Sequence, residues 1–377
     1  MWSKRQRLVL LMLLGVTVAG SAGFIAARQA YSDVDRQVSK SAGSALRVVR
    51  SNGVDAPRGM ALIPGGRFLM GSDLKLSQRN ERPLHWVRVS AFWMDVTHVT
   101  NDQFARFVDA TGYVTTAEKK PDWQTLRVQL PADTPKPDDA ELVAGAMVFV
   151  GSAAPVPLDN PARWWAFVPG ANWRHPEGPA SSIEGRGDHP VVQVSYEDAL
   201  AYAHWIGKRL PTEAEWEFAA RGGMAQATYA WGNELVIDGK LPANVWRVTE
   251  RPFPVVDAGS RDAVATSPVG SFPANPYGLF DVTGNAWQWV SDWYRSDYFQ
   301  MQARQSAGRL IINPRGPIDS YDDSGDGAPV DAPKRVIRGG SFLCSAEYCQ
   351  SFRPSARRGA DPYSPMSHVG FRLVKDL

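Results

Sequence analysis

The two cysteines lie in one short segment, RGGSFLCSAEYCQSFR, and are the residues best suited to redox or metal chemistry. Cys344 and Cys349 are separated by four residues, which is not the Cys-x-x-Cys spacing of thioredoxin-like sites. The spacing suits a disulfide, which an exported compartment permits, or a pair of thiolates for a soft ion such as Cu(I). Ser341 and Tyr348 flank the pair and could supply hydroxyls to it. The residues alone leave both uses open.

Oxygen-bearing side chains form a second group of candidates. Asn244 and Asp262 fall in one predicted loop region, and Asn285 and Gln288 fall in another, GNAWQW. Amide, carboxylate and backbone carbonyl oxygens in irregular loops are the ligands that Ca²⁺ prefers. The same residue types are also ordinary turn formers. The pattern therefore permits a calcium site without requiring one.

Several other kinds of functional site have no counterpart in the sequence. There is no Gly-x-Ser-x-Gly nucleophile motif, no His-Glu-x-x-His zinc motif and no Gly-x4-Gly-Lys phosphate loop. The six histidines are dispersed along the chain. The 41 basic and 39 acidic residues are interspersed and give a net charge of +2, so we predict no nucleic-acid partner.

The N-terminal segment has the features of a targeting signal. Three basic residues, Lys4, Arg5 and Arg7, precede the uncharged stretch 8–27, whose 20 residues suffice for a membrane-spanning helix. The basic flank predicts a cytoplasmic N-terminus and an exported remainder. Small residues at 20–22 also resemble a signal-peptidase site, so residues 1–27 are predicted to be a signal peptide or a signal anchor. In a bacterium, the exported part would lie in the periplasm or on the outer face of the inner membrane. It would touch the membrane only through this segment, if uncleaved.

The remaining chain is predicted to be a polar linker, 28–56, followed by one domain, 57–377. The 33 glycines, 28 prolines and 14 tryptophans favour a loop-rich fold with many aromatic anchors. Capping boxes predict helices that begin after Thr100, Ser195 and Thr212 and end at glycines 112, 207 and 222. Short strands are expected within 61–72 and 85–96. Residues 114–190 carry little regular pattern, turns and short strands follow residue 223, and 131–142 and 319–333 are expected to be surface loops.

Over residues 58–376 the sequence resembles the formylglycine-generating enzyme family, also called sulfatase-modifying factor. KRLPTEAEWE and RGGS mark the broad superfamily, whereas NWRHPEGP and the Ser-x-x-Cys-x4-Cys segment are narrower and resemble its catalytic branch. The other matching segments occur in the family's order: IPGGRFLMGS, ERPLHWVRVSAFWMDVTHVTNDQFARFV, DHPVVQVSYEDALAYAHWIG, YAWGNE, ANVW, PVGSFPANPYGLFDVTGNAWQWVSDWY and HVGFR.

The resemblance implies an α+β fold with little regular secondary structure, distantly like that of C-type lectins, and a specific activity. The family oxidises the cysteine of a Cys-x-Pro-x-Arg motif in unfolded sulfatases to Cα-formylglycine, using O₂ and Cu(I). It implies that Cys344 and Cys349 are the copper ligands, that the substrate thiolate adds as a third ligand, and that Ser341, Tyr348 and Trp289 belong to the active site. It also implies structural Ca²⁺, bound by two sets of residues: Asn244, Val245 and Asp262, and Thr283, Asn285, Ala286 and Gln288.

The sequence departs from the family pattern in both calcium loops. Gln288 stands where the family usually has glutamate in GNxWEW, and a neutral amide binds Ca²⁺ less strongly than a carboxylate. The segment after Asp262 is one residue shorter than usual. Two alternatives to the oxidase remain. One is a non-catalytic, lectin-like binding module with a structural Cys344–Cys349 disulfide. The other is an iron-dependent relative, whose His-x3-His pair is absent here.

Overall fold

The computed structural model describes residues 56–247, 251–256, 264–325 and 328–377. The predicted signal segment, the linker up to residue 55 and the candidate ligand Asp262 lie outside these ranges. Within them, no helix is both long and apolar enough to cross a membrane.

The three helices predicted from capping boxes are confirmed. Thr100, Ser195 and Thr212 each accept a hydrogen bond from the backbone of the third residue that follows, and the side chain of that residue bonds back to the cap. This reciprocal arrangement satisfies two backbone donors that a helix start would otherwise leave unpaired. The helices are α1 (Asn101–Thr111), α2 (Trp123–Arg127), α3 (Tyr196–Trp205), α4 (Glu213–Arg221) and α5 (Tyr298–Ser306).

Twelve short strands in the described ranges form four small sheets. Two sheets have three strands, in the orders β1-β4-β12 and β2-β3-β8; one has four, β10-β9-β7-β11; and β5 pairs with β6. Most of the described residues lie in turns and irregular segments between them, as the composition predicted. The strands are β1 (Met60–Ile63), β2 (Gly66–Met70), β3 (His85–Val89), β4 (Phe92–Asp95), β5 (Gly145–Phe149), β6 (Trp165–Pro169), β7 (Trp287–Trp293), β8 (Ile311–Ile312), β9 (Arg335–Arg338), β10 (Arg357–Ala360), β11 (Val369–Gly370) and β12 (Val374–Asp376).

The expectation of little regular structure in 114–190 was wrong for the short helix α2 and for β5 and β6, and the expectation of only turns and strands beyond 223 was wrong for helix α5. Strands β5 and β6 form a five-residue antiparallel ladder inside the first region. Four of the five residues of β5 are buried, so both of its faces are covered and the alternation of apolar and polar residues is missing. Helix α5 lies in the second region. Its cap, Asp297, makes no side-chain hydrogen bond to the first turn and so gives no start signal.

Candidate active site

The segment that carries both cysteines connects β9 to β10 and is held at each end by a buried arginine. Arg338, the last residue of β9, donates to Glu213 Oε1 and Glu217 Oε2, each at 2.7 Å. Arg353 donates to both carboxylate oxygens of Glu81, at 2.6 and 2.7 Å. All five side chains are almost completely buried. Buried charges are tolerated only when they are paired and hydrogen-bonded, so these ion pairs fix where the segment begins and ends.

Cys344 and Cys349 are joined by a disulfide, with their Cα atoms 4.7 Å apart. Cys344 is buried, whereas Cys349 is partly exposed. The Cys344 amide donates to the Ser341 carbonyl at 2.9 Å, and the Cys344 carbonyl accepts from the Trp246 amide at 2.8 Å. These bonds fix the backbone of Cys344, and the disulfide holds the two sulfurs side by side. A disulfide and a two-thiolate site for one ion both need that proximity, so the residues fit Cu(I) once the cysteines are reduced.

Aromatic rings enclose Tyr348, the residue that precedes Cys349. The Tyr348 ring stacks on Phe253, with centroids 4.1 Å apart, and meets Trp164 edge-on at 5.9 Å. Phe253 also packs against Trp246 and Phe149, at 5.1 and 6.0 Å. Burial raises the pKa of the Tyr348 phenol well above its ordinary value. The phenol therefore keeps its proton at neutral pH and can donate a hydrogen bond beside the cysteines.

Ser341 lies in the same turn as the first cysteine. Its side chain is completely buried, and its Oγ accepts a hydrogen bond from the Leu343 amide at 3.2 Å. The structure therefore brings Ser341 and Tyr348 together with both cysteines, as the sequence predicted from their proximity along the chain.

Trp289 belongs to the same hydrophobic core as Cys344 but has other direct partners. Its indole Nε1 donates to the Val194 carbonyl at 3.2 Å, and its ring meets Tyr196 edge-on at 6.0 Å. These contacts fix the strand β7 against the start of helix α3. A role for Trp289 in the reaction stays a prediction.

The first candidate calcium set has free oxygens. Asn244 uses its Nδ2 to donate to the Ala265 carbonyl at 3.0 Å and to Asn285 Oδ1 at 3.1 Å. Among the described residues, no hydrogen bond reaches Asn244 Oδ1 or the Val245 carbonyl. Two adjacent oxygens without donors, in a loop, fit a hard cation such as Ca²⁺. The third member of this set, Asp262, is outside the described residues.

Most oxygens of the second candidate set already accept hydrogen bonds from protein groups. Asn285 Oδ1 accepts from the Asn244 side chain and the Ser267 amide, and the Ala286 carbonyl accepts from the His98 imidazole at 2.9 Å. The Asn285 carbonyl also accepts a hydrogen bond from the Phe342 amide. Thr283 is buried and completes the set.

Gln288 is the clearest obstacle to a second calcium. Its Oε1 accepts from Trp216 Nε1 at 2.8 Å and from Arg372 Nε at 2.7 Å. The same guanidinium donates to the carbonyls of Phe280 and Asp281, at 2.8 and 3.0 Å. The Arg372 guanidinium, itself a cation, therefore already occupies this cluster of oxygens. The second set does not fit Ca²⁺. Across the described ranges, no three His, Cys, Asp or Glu side chains converge to hold a metal ion.

Sequence reasoning missed the enclosure and the ion pairs that position the site. Phe253, Trp164 and Phe149 lie far along the chain from Tyr348, as does Glu81 from Arg353. The large number of tryptophans was the one signal, and it does not tell which rings meet.

Comparison with known proteins identifies the family. Residues 46–377 match the model of the sulfatase-modifying factor enzyme 1-like domain. The chain belongs to the sulfatase-modifying factor family. It is 43% identical over 331 residues to the formylglycine-generating enzyme of Thermomonospora curvata, covering 87% of this chain and 97% of that protein. It is 44% identical over 314 residues to the enzyme of that name from Mycobacterium tuberculosis, covering 83% of this chain and 96% of the relative.

Among solved structures, PvdO from Pseudomonas aeruginosa has a similar fold. The TM-score is 0.52 at 21% sequence identity, covering 84% of this chain and 94% of PvdO. A likeness at this identity concerns the fold alone. It shows that PvdO shares the mixed arrangement of helices and small sheets that holds the cysteine segment here.

Proposed function

We propose that the protein is a formylglycine-generating oxidase. It would convert the cysteine of a Cys-x-Pro-x-Arg motif in an unfolded sulfatase to Cα-formylglycine, with O₂ as the oxidant. The observation that carries this proposal is the pairing of Cys344 with Cys349 beside Ser341 and Tyr348, in a chain 43% identical to a formylglycine-generating enzyme.

Electron counting defines what else the reaction needs. Replacing the C–S bond of cysteine by a C=O bond removes two electrons from the substrate and releases sulfide. Reduction of O₂ takes four electrons, and one oxygen atom enters the aldehyde while the other leaves as water. The remaining two electrons must come from a reductant, for which we propose two thiols that become a disulfide.

Cu(I) would be held by the reduced thiolates of Cys344 and Cys349. When bound, it supplies the electron transfer to O₂ that protein side chains cannot supply. The burial of Cys344 supports this assignment, because a buried thiolate is poorly solvated and is stabilised by a bound cation. A soft monovalent ion matches two sulfur ligands better than Ca²⁺ or Mg²⁺ does.

The neighbouring hydroxyls would serve the substrate rather than the metal. Tyr348 keeps its proton and can donate a hydrogen bond to the substrate sulfur next to the partly exposed Cys349. Ser341, buried in the turn, would orient the substrate or O₂ beside Cys344. The first oxygen set would hold one structural Ca²⁺ through Asn244 and Val245, together with Asp262.

The activity is tested with the purified full chain and a Cys-x-Pro-x-Arg peptide. Aldehyde formation should require Cu(I), O₂ and a thiol reductant together, and should stop when a cuprous chelator is added. Mass spectrometry and an aldehyde-reactive probe would both detect the product. If the copper-loaded protein leaves the peptide unoxidised, the non-catalytic binding module with a structural disulfide becomes the better explanation.

We further propose that the domain acts outside the cytoplasm, because basic residues precede the apolar stretch 8–27. A reporter that works only after export should be active when it is fused after Leu377. Activity of a cytoplasm-only reporter at that position would contradict export.

A further inference from the structure

One of the small sheets, β2-β3-β8, has a buried face and an open face. Side chains alternate between the two faces of a strand, and Phe68, Val87 and Ile311 pack into a hydrophobic core. Their neighbours along the strands point the other way and include Trp86 and Ile312, which are 42% and 64% exposed. The open face of such a sheet is usually polar, so large apolar side chains on it indicate a contact surface.

The strand register groups the cationic and apolar side chains of the open face. Arg67 on β2 lies opposite Arg88 on β3, and Arg88 lies beside Ile312 on β8. Leu69 lies opposite Trp86. The Arg67 guanidinium is placed over the Trp86 ring, 5.5 Å from its centroid. These five residues form one continuous surface, which we call the sheet patch.

The two arginines of the sheet patch have no acidic partner among the residues that the structure describes. Neither forms an ion pair there, and strands β2, β3 and β8 contain no Asp or Glu. Elsewhere on the surface, by contrast, Arg209 pairs with both Glu215 and Asp376. The positive charges of Arg67 and Arg88 can therefore complement an anionic partner.

Hydrogen bonds hold the β8 side of the patch against β3. The Asn313 amide donates to the Arg88 carbonyl at 2.8 Å, and Asn313 Oδ1 accepts from the Ser90 amide at 2.8 Å. The sequence of residues 309–315, RLIINPR, adds the exposed Leu310 and two further exposed arginines without any acidic residue. The patch is thus an apolar surface of fixed shape with cations inside it and at its edge.

We propose that the sheet patch docks on the surface of a membrane that contains anionic lipids. Tryptophan is enriched at membrane interfaces, aliphatic side chains enter the headgroup region, and basic residues attract acidic headgroups. The patch offers a tryptophan, two aliphatic side chains and two guanidiniums without acidic partners. The predicted apolar segment 8–27 lies upstream of β2 in the same chain, so a chain that keeps this segment is held beside a lipid surface. The inference goes beyond the proposed oxidation and needs neither copper nor substrate.

Docking is measured with the full chain reconstituted in vesicles of phosphatidylcholine, either alone or mixed with phosphatidylglycerol. Ile312→Cys is labelled with a fluorophore whose emission shifts to the blue in contact with lipid. The two native cysteines form a disulfide and do not react with the label when no reductant is present. Val114→Cys is the matched control. Val114 is 48% exposed and follows helix α1, whose buried residues belong to a different core from those of β3.

In the mixed vesicles, the label at position 312 should shift to the blue and the label at position 114 should not. Arg67→Gln and Arg88→Gln should each lower the ratio of docked to undocked protein about fivefold, the effect of one basic residue near an anionic surface. Added salt should weaken docking, because it screens these charges. Arg106→Gln removes the same charge from an exposed position on α1 and should leave the ratio unchanged.

The proposal is overturned if position 312 shows no shift with phosphatidylglycerol, if it shifts equally without that lipid, or if both label positions shift alike. It is also overturned if Arg67→Gln and Arg88→Gln leave the shift intact. A blue shift that needs no lipid and grows with protein concentration would identify a second copy of the chain as the occupant, which contradicts the proposal. Failure of the reporter fusion to show export would refute the proposed location of the domain but not this contact with lipid.

Discussion

The two ends of the cysteine segment and its middle are built from opposite chemistry. At the ends, Arg338 and Arg353 form ion pairs with Glu213, Glu217 and Glu81 in surroundings that exclude water. In the middle, the ring neighbours of Tyr348 are Phe253 and Trp164, which carry no charge. The ends are therefore specified by electrostatics and the middle by packing.

This difference indicates that the ends and the middle of the segment have different roles. Buried ion pairs have strict geometry and are costly to break, which makes them suitable for fixing a position. Uncharged aromatic rings offer no ligand that would compete with reduced sulfur for a soft ion. Changes at the ends should therefore reduce stability, and changes in the middle should reduce chemistry.

The largest effect should come from the middle. Cys344→Ser or Cys349→Ser should each abolish Cu(I) binding and peptide oxidation, because one thiolate cannot maintain a two-coordinate site. The double variant should be no worse than either single one. Loss of the disulfide over so short a loop should cost only about 2 kcal/mol of unfolding free energy. Copper titration, peptide oxidation and denaturant unfolding measure the three quantities.

Ser341→Ala is the matched variant for this prediction. It should reduce turnover but keep Cu(I) affinity, since a hydroxyl is not a ligand for a soft ion. The opposite pattern, in which the cysteine variants lose stability yet still oxidise the peptide, would mean that the pair is only a structural disulfide.

The next effect concerns the ends. Glu213 accepts hydrogen bonds from both Arg338 and Arg357. Glu213→Gln therefore removes the carboxylate partner of buried Arg357 and leaves Arg338 with Glu217 alone. We expect a loss of about 3–5 kcal/mol in unfolding free energy, with peptide oxidation retained by the molecules that remain folded. Arg79→Gln, in an exposed pair with Asp323, should cost less than about 1 kcal/mol. Similar losses for the two variants would show that burial does not determine the strength of these pairs.

The sequence predicted the parts of this arrangement that depend on near neighbours. The helix starts at Thr100, Ser195 and Thr212 each need only a cap and a residue three positions on, and all three are present. The grouping of Ser341 with the cysteines also follows from closeness along the chain. Local hydrogen bonding was sufficient to specify these features.

The parts that the sequence did not predict depend on distant residues. Arg353 and its partner Glu81 are 272 residues apart, and nothing local indicates that they pair. The same holds for the partners of the early strands. β1 and β2 follow each other closely, yet β1 pairs with β4 and β2 with β3.

Calcium should have a smaller effect and only one site. The wild-type chain should bind one Ca²⁺, and Asn244→Ala should bind none. At a free calcium concentration 100 times Kd, one bound ion stabilises the fold by about 2.7 kcal/mol, so a chelator should lower the melting temperature. Gln288→Glu should still bind a single ion, because Arg372 would pair with the new carboxylate. Metal analysis that finds two ions in the wild-type chain, or a melting temperature unaffected by chelator, would contradict this prediction.

The smallest effect should come from Asp292, a buried carboxyl next to the ionic end of the segment. Burial, followed by the nearby charge of Glu213, raises the pKa of Asp292 to about 7. The folded state therefore holds a proton that the unfolded chain releases near pH 4. The stability contributed by this proton is complete below about pH 4 and is lost as the pH rises through about 7.

Asp292→Asn, which mimics the protonated form, should match the free energy of unfolding of the wild type near pH 4 and exceed it at pH 8 by on the order of 1 kcal/mol or more. Denaturant unfolding across this range measures the difference, and Asp319→Asn, at a largely exposed position, serves as the control. A pH-independent difference between Asp292→Asn and wild type would mean that Asp292 stays charged beside Glu213, and that this end of the segment tolerates more unpaired charge than its ion pairs suggest.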